Sequence, residues 1–357
     1  SHTVELTDGT RLQGRQIVIA AGSRAVLPPV PGIDSSKVYT NDNVMRMDEL
    51  PARMVVIGGG VIAAEFSHVF SAFGTDVTQL NRSSRLLRGV DEEVVARFEE
   101  AASKQWNIVK DAGLSEIREN ADGSVTVVAK RTTENGEELL EIPADAVLVA
   151  TGRRPNTDTL NAKNYFDVQD GGQLSVDKYQ RVLYNGAPVP GVYALGDVSS
   201  RYQLKHVANH EARVVQHNLS HPEDLRASDH RYVPGAVFTN PQIAVVGMTE
   251  EQARQAAERE GYEITVKAQN FGDTAYGWAM EDKIGLCKLI ARKDNGELLG
   301  AHLVGEESSV LIQPLLQAMS FGMDARTLAR GQYWIHPALT EIVENALLGL
   351  EFDEPAN

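Results

Sequence analysis

The segment 54–73 constrains the chain more than any other. Met54-Val55-Val56-Ile57 is an uninterrupted apolar run, the mark of a parallel strand covered on both faces. Gly58-Gly59-Gly60-Val61-Ile62-Ala63 follows with the spacing Gly-x-Gly-x-x-Ala, and residues 64–73 continue as an amphipathic helix. Gly58 permits the tight turn, Gly60 lets backbone amides approach a pyrophosphate, and Ala63 lets the helix pack closely on the strand. A strand before the glycines and a helix after them is the context that marks a dinucleotide-binding turn, with Val61 and Ile62 in the loop. A strand-to-helix turn with a purely structural role is the alternative.

The next strand is expected over 76–80. A chain that binds NAD would end it with an acidic residue to accept the ribose 2'-OH bonds. Here it ends in Asn81-Arg82-Ser83-Ser84-Arg85, with Arg88 just beyond. Guanidinium groups bind a 2'-phosphate with charge-assisted bonds where a carboxylate would repel it. Arg82 and Arg88 therefore point to NADPH, against the alternative of a solvated basic loop. A helix over 91–104, strands over 124–132 and 139–142, and a last strand over 146–150 lead to Thr151-Gly152-Arg153-Arg154-Pro155-Asn156, which closes a nucleotide-binding domain at 50–156. Ala20-Ala21-Gly22-Ser23 echoes Ala150-Thr151-Gly152-Arg153, as two related domains would.

Before this domain, residues 4–12 read as an alternating strand with an Asp8-Gly9 turn, half of a hairpin. An apolar strand at 17–21 follows. A domain rarely starts in mid-sheet, so 1–49 is expected to be the remnant of an N-terminal domain whose first half lies outside this sequence. The 357 residues fit two or three domains at roughly 150 residues each. The formal charge of −15 excludes a phosphate-neutralising nucleic-acid binder. No apolar run reaches the roughly 18 residues of a membrane span. Cys287 is the only cysteine, so no intrachain disulfide forms and a cytoplasmic home is expected.

The second half adds a short strand over 191–195 ending in Gly196-Asp197, then a helix over 204–219. Gly196 allows backbone to approach a ligand and Asp197 can accept a hydroxyl bond, as from a flavin ribityl chain, although a strand-end Asp is more often a helix cap. From residue 231 on, strands are expected at 236–238 and 284–291 and helices at 250–260 and 308–321. His336-Pro337 followed five residues on by Glu341 is, from the residues alone, more often a capped helix start than an acid-base pair. His206 and His210 share a helix face, but no third metal ligand is apparent. Cys287 reads as a buried inert thiol and the acidic tail 351–357 as a solvated terminus.

With Ala21-Gly22-Ser23, the 58–65 turn, Thr151 to Asn156, Ala194 to Asp197 and His336-Pro337-Ala338-Leu339-Thr340-Glu341 in this order, the chain resembles the class I pyridine nucleotide-disulfide oxidoreductases, the two-domain flavoprotein disulfide reductases. The resemblance covers essentially the whole chain. It implies an α/β protein with Rossmann-like three-layer nucleotide-binding domains and a C-terminal α+β dimerisation domain. The segments would be 1–49 and 157–230 for FAD, 50–156 for NADPH and 231–357 for the homodimer interface. By resemblance Gly58, Gly60, Val61, Ile62 and Ala63 would hold the NADPH pyrophosphate, Glu65 would lie near the nicotinamide, and Arg82 and Arg88 would take the phosphate. Gly152 and Arg153 would complete the cofactor sites with Gly22, Gly196, Asp197 and the backbone of Leu204, Lys205 and His206, which would face FAD. His336 and Glu341 would be the catalytic acid-base pair, with His336 serving the partner subunit's site and a small-molecule disulfide as substrate. No metal is expected.

Within the family, residues 206–219 and 333–347 look most like the branch that reduces the disulfide of mycothiol. A dihydrolipoamide dehydrogenase would want an acid where Asn81 and Arg82 stand, and the tail carries no redox cysteine pair of the kind seen in mercuric reductases. The family's Cys-x4-Cys disulfide belongs to the N-terminal segment, so this chain alone is expected to be inactive. A non-catalytic NADPH-binding and dimerising module, or a relative of dihydrolipoamide dehydrogenase or glutathione reductase, stays open as the other reading.

Overall fold

A computed structural model describes residues 2–133 and 136–353. Two compact units emerge, one of Ser1–Val26 with Arg153–His230 and one of Leu27–Gly152 with Arg231–Asn357.

The second unit opens with a parallel sheet. Its strands are β1 (Val38–Tyr39), β2 (Arg53–Ile57), β3 (Asp76–Leu80), β4 (Asn107–Val109) and β5 (Ala146–Val149), in the spatial order β1-β5-β2-β3-β4. Helix α1 (Val61–Ala72) links β2 to β3, and α2 (Glu92–Ala102) links β3 to β4. Alternation along β2 explains its unbroken apolar run, because successive residues face opposite sides. Met54 and Val56 pack with Ala63, Phe70, Val94 and Phe98 of the helices, whereas Val55 and Ile57 pack with Ile117, Val125 and Val127. Those last three come from a three-stranded antiparallel sheet of Ala112–Glu119, Val125–Thr133 and Gly136–Ala144 on the other face. Helices, parallel sheet and antiparallel sheet are the three layers.

Several element bounds differ from the sequence reading. Helix α1 starts at Val61 and not at 64, because Gly60 already serves as its N-cap. The strand Ala112–Glu119 was missed, since its polar, glycine-containing sequence lacks a clear period.

The C-terminal part of this unit is a five-stranded antiparallel sheet in the order Gly235–Val237, Gln242–Gly247, Leu298–Gly305, Leu286–Arg292, Ile264–Asn270. Helix Glu250–Glu260 begins with a capping box in which Thr249 and Gln252 exchange side-chain and backbone bonds. The single helix expected over 308–321 is two, Ser308–Leu311 and Gln313–Phe321. Pro314, which has no N–H to continue a helix, sits in the first turn of the second. Leu289, Leu303, Leu315, Ile342 and Val343 build the core around Cys287, which is fully buried and whose thiol burial pushes far above its usual range. The tail is not simply solvated: Phe352 packs on this core beneath the Arg326 guanidinium, and its last residues, 354–357, lie outside the described residues.

The first unit holds a hairpin of Thr3–Glu5 and Arg11–Gln13 around the Asp8-Gly9 turn, with Gly9 at φ +84°. Its main sheet sets Arg181–Tyr184 antiparallel to Ala187–Ala194, and Ala187–Ala194 parallel to Ile17–Ile19. Arg153–Pro155 pairs with Ser23–Ala25. Leu174, Val182, Val192, Ala194 and Val198 form its core, with helix Lys205–Ser220 packed near the end of the Ala187–Ala194 strand. Among the described residues of the chain, no helix is long and apolar enough to cross a membrane.

Candidate functional site

The glycines after β2 have three different reasons to be glycine. At Gly58 φ is +143°, and a Cβ would meet the Ala150 carbonyl oxygen at 2.3 Å, so the turn is tight against β5. The same Cβ would lie 3.4 Å from the Ala63 methyl, an ordinary contact, so it is the Ala150 carbonyl that requires glycine at 58. Gly59, given no role in the sequence reading, would place a Cβ 2.4 Å from Asn81 Oδ1. At Gly60 a Cβ would meet nothing within 4 Å. Protein packing fixes the first two glycines, whereas Gly60 borders open space at the start of α1. Among the described residues no side chain caps that helix, so the first-turn amides of Val61, Ile62 and Ala63 are placed to receive an anion. These features fit a dinucleotide pyrophosphate.

Asn81 is buried and turned inward. Its Nδ2 donates to Ser83 O at 2.8 Å, Ser83 Oγ at 3.0 Å and Arg85 O at 3.0 Å, which holds the loop after β3 in shape. Arg85 is absorbed by this loop, donating to Val90 O. Arg82 and Arg88 are exposed, and neither guanidinium has a partner among the described residues. Glu65, half-buried on α1, accepts from Phe238 N–H at 2.9 Å; burial raises its pKa against the pull of that hydrogen bond.

In the first unit, Gly22, Arg153, Gly196 and Asp197 come together. Ser23 Oγ donates to Asp197 Oδ2 at 2.6 Å, and Arg153 Nε donates to Ser23 Oγ at 2.8 Å. Asp197 Oδ1 has no partner among the described residues, so this carboxylate is not the helix cap that a strand-end Asp usually is. Helix Lys205–Ser220 starts eight residues later, from Leu204, whose side chain offers no capping oxygen. Gly22 at φ +68° and Gly196 at φ +71° need the left-handed region, and a Cβ at Gly22 would meet nothing within 4 Å. An open glycine edge, a half-engaged carboxylate and an uncapped helix start fit a flavin nucleotide with its hydroxyls. The sequence echo between Gly22 and Gly152 is not one of conformation, for Gly152 has φ +145°. Gly152 lies in the second unit, and a Cβ there would also meet nothing within 4 Å.

His210 Nε2 accepts from Asp229 N–H at 3.3 Å. Among the described residues no group of three or more His, Cys, Asp or Glu side chains is arranged to hold a metal.

His336 and Glu341 meet at the start of helix Glu341–Leu348. His336 Nδ1 lies 2.7 Å from Glu341 Oε1, and Glu341 Oε2 accepts from Ala338 N–H at 3.3 Å. The bond to His336 holds the Glu341 carboxyl below its usual pKa. A carboxylate accepting from Nδ1–H fixes the imidazole tautomer. Nε2 then remains free to take or give a proton, and the ring is 69% exposed.

Residues 1–212 match the family profile described as pyridine nucleotide-disulphide oxidoreductase, and residues 233–347 match the dimerisation domain of the same family. Mycothione reductase of Mycobacterium tuberculosis is 51% identical over 347 residues, covering 96% of this chain and 72% of that protein. Dihydrolipoyl dehydrogenase of Synechocystis sp. is 32% identical over 336 residues, covering 94% of this chain and 70% of that protein. Among solved structures, the HOCl-induced flavoprotein disulfide reductase RclA from Escherichia coli aligns with a TM-score of 0.84 at 28% identity, covering 98% of this chain and 76% of that one.

Proposed function

The chain belongs to the pyridine nucleotide-disulphide oxidoreductase family, and from that premise we propose that it is the NADPH-binding, FAD-binding and dimerising part of a reductase for the disulfide of mycothiol. Members of the family are NAD(P)H-dependent flavoprotein disulfide oxidoreductases. The net reaction takes NADPH, a proton and a disulfide to NADP+ and two thiols. When bound, the two cofactors supply the two-electron relay between nicotinamide and disulfide.

Val61, Ile62 and Ala63 bind the NADPH pyrophosphate through their amides, and Arg82 with Arg88 binds the 2'-phosphate. Asp197, with Gly22, Gly196 and the backbone of 204–206, would hold FAD. The observation that carries the chemistry is the 2.7 Å bond between His336 and Glu341, which leaves Nε2 to protonate a departing thiolate. Mycothiol disulfide is favoured over other disulfides by the 51% identity to mycothione reductase. Homodimerisation through the 233–347 region brings His336 to the partner's site. The one cysteine in these residues, Cys287, is fully buried, so thiol-disulfide exchange needs cysteines from outside them and this chain alone does not turn over.

The test is NADPH oxidation by the full-length protein with the disulfides of mycothiol, glutathione and lipoamide. Mycothiol disulfide is expected to give the highest kcat/KM; equal or better turnover of either competitor overturns the substrate assignment.

A further inference from the structure

Glu211 has no place in the chemistry above, yet it is buried to 1% exposure in helix Lys205–Ser220, among Val207, Val214 and Val215. A buried carboxylate needs partners for both oxygens. Oε2 accepts from Gly196 N–H at 2.7 Å, and Oε1 lies 3.0 Å from His230 Nε2. His230 is itself tied down, because its carbonyl accepts from the Tyr202 hydroxyl at 3.1 Å. The left-handed backbone at Gly196 sends its N–H toward the helix, where a Cβ built on Gly196 would lie 3.4 Å from the Ala208 methyl. An apolar residue at 211 would satisfy the packing and leave that amide without its acceptor.

We propose that Glu211 is a positioning residue for FAD: its carboxylate anchors the Gly196-Asp197 turn to the helix that begins at Lys205, so that Asp197 and the start of that helix are held as one binding edge. This rests on the flavin reading given under the proposed function. Losing a hydrogen bond to a charged group costs about 1.5–3 kcal/mol, which is roughly a tenfold to hundredfold change in affinity.

The experiment measures FAD dissociation from the flavin-loaded full-length protein by the fluorescence of released flavin, with NADPH affinity measured on the same samples. Glu211→Leu keeps the volume without the acceptor and is expected to weaken FAD at least tenfold while leaving NADPH binding unchanged. Glu211→Gln keeps an oxygen for Gly196 N–H and is expected to stay within about threefold of the wild type. In the wild type, amide exchange across 194–198 is expected to slow when FAD is added, which tests the anchored turn even where Glu211→Leu does not fold. Unchanged FAD affinity in Glu211→Leu, equal weakening in Glu211→Gln, parallel loss of NADPH binding, or exchange indifferent to FAD overturns the proposal. A wild type that binds NADPH and no FAD overturns the flavin reading and this inference with it. A wild type that binds FAD beside indifferent variants overturns this inference alone.

Discussion

Lys288 Nζ lies 2.9 Å from Asp91 Oδ1 in the interior of the second unit, with the lysine side chain 6% and the aspartate side chain 3% exposed. Glu250 Oε2 at 2.7 Å and Glu93 Oε2 at 3.2 Å complete the ammonium's surroundings. Asp91 caps two helices at once. Its Oδ1 accepts from Glu93 N–H at 3.2 Å in its own helix, and its Oδ2 accepts from Glu250 N–H at 3.1 Å at the start of another. One buried cation thus joins the nucleotide-binding layers to the antiparallel C-terminal sheet. Lys288→Met should lower the unfolding free energy by about 3–5 kcal/mol, because it leaves the buried Asp91 carboxylate uncompensated. Urea unfolding checks this, and adding Asp91→Asn to the same variant should recover part of the loss.

The same cluster sets a pH response with two stages. Burial lowers the pKa of His302, whose Nε2 donates to Met248 O at 2.8 Å and whose Nδ1 is buried without a partner among the described residues. As pH falls through the ordinary histidine value of 6.5, the unfolded chain takes up a proton that the folded one resists, so stability declines first here. Burial alone would raise Asp91 and Glu250, but Lys288 overcomes it and holds both below their ordinary values of 3.8 and 4.5. Their stabilisation is complete above those values and disappears as pH drops through the lower folded ones. Thermal melts between pH 8 and pH 3 should show both declines. His302→Gln should remove the first, and Lys288→Met should flatten the second.

The nucleotide turn was legible because its chemistry is local: strand, glycines and helix are contiguous, and each residue's role depends on neighbours a few positions away. Glu211 and Lys288 were not, although each carries a signal in hindsight. Leu286-Cys287-Lys288-Leu289 is a strand buried along its length, so a lysine inside it demands acids from elsewhere. Those acids lie about 200 and 40 residues away, at Asp91 and Glu250. Glu211 shares the buried face of Val207, Val214 and Val215, yet its partners at 196 and 230 meet it only through the fold. Gly59 was passed over because its constraint comes from Asn81, one strand later. The break at Ile312 was the exception, since Pro314 was in plain view.

The three glycines should separate folding from binding. Gly58→Ala and Gly59→Ala meet Ala150 O and Asn81 Oδ1 at 2.3 and 2.4 Å, so both should lower the thermal midpoint. Gly60→Ala meets nothing within 4 Å among the described residues beyond its chain neighbours; it should leave the melt near wild type while weakening NADPH binding tenfold or more, because the methyl occupies the space an approaching phosphate needs. Calorimetric titration beside a thermal melt distinguishes the two classes.

Arg82 and Arg88 should account for cofactor choice. Each charge-assisted contact to a 2'-phosphate contributes about 1.5–3 kcal/mol, so Arg82→Ala with Arg88→Ala should erase most of a preference for NADPH over NADH. Neither side chain has a partner among the described residues, so folding stability should change by less than about 0.5 kcal/mol. An unchanged nucleotide preference in the double variant would return these arginines to the status of a solvated basic loop.

His336 and Glu341 should divide the catalytic cycle. In the full-length protein, His336→Ala removes the proton donor for the departing thiolate, and general acid catalysis of this kind contributes about 10²–10⁴ in rate. Disulfide reduction should slow by that order. Flavin reduction by NADPH should proceed at its normal rate, because hydride transfer precedes the thiol chemistry and uses no group at position 336. Glu341→Gln should fall between the two, since an amide at the 2.7 Å position still orients the imidazole but no longer stabilises its protonated form. Stopped-flow absorbance resolves the two half-reactions. A His336→Ala protein that loses flavin reduction and keeps normal thiol exchange would contradict the role assigned to this pair.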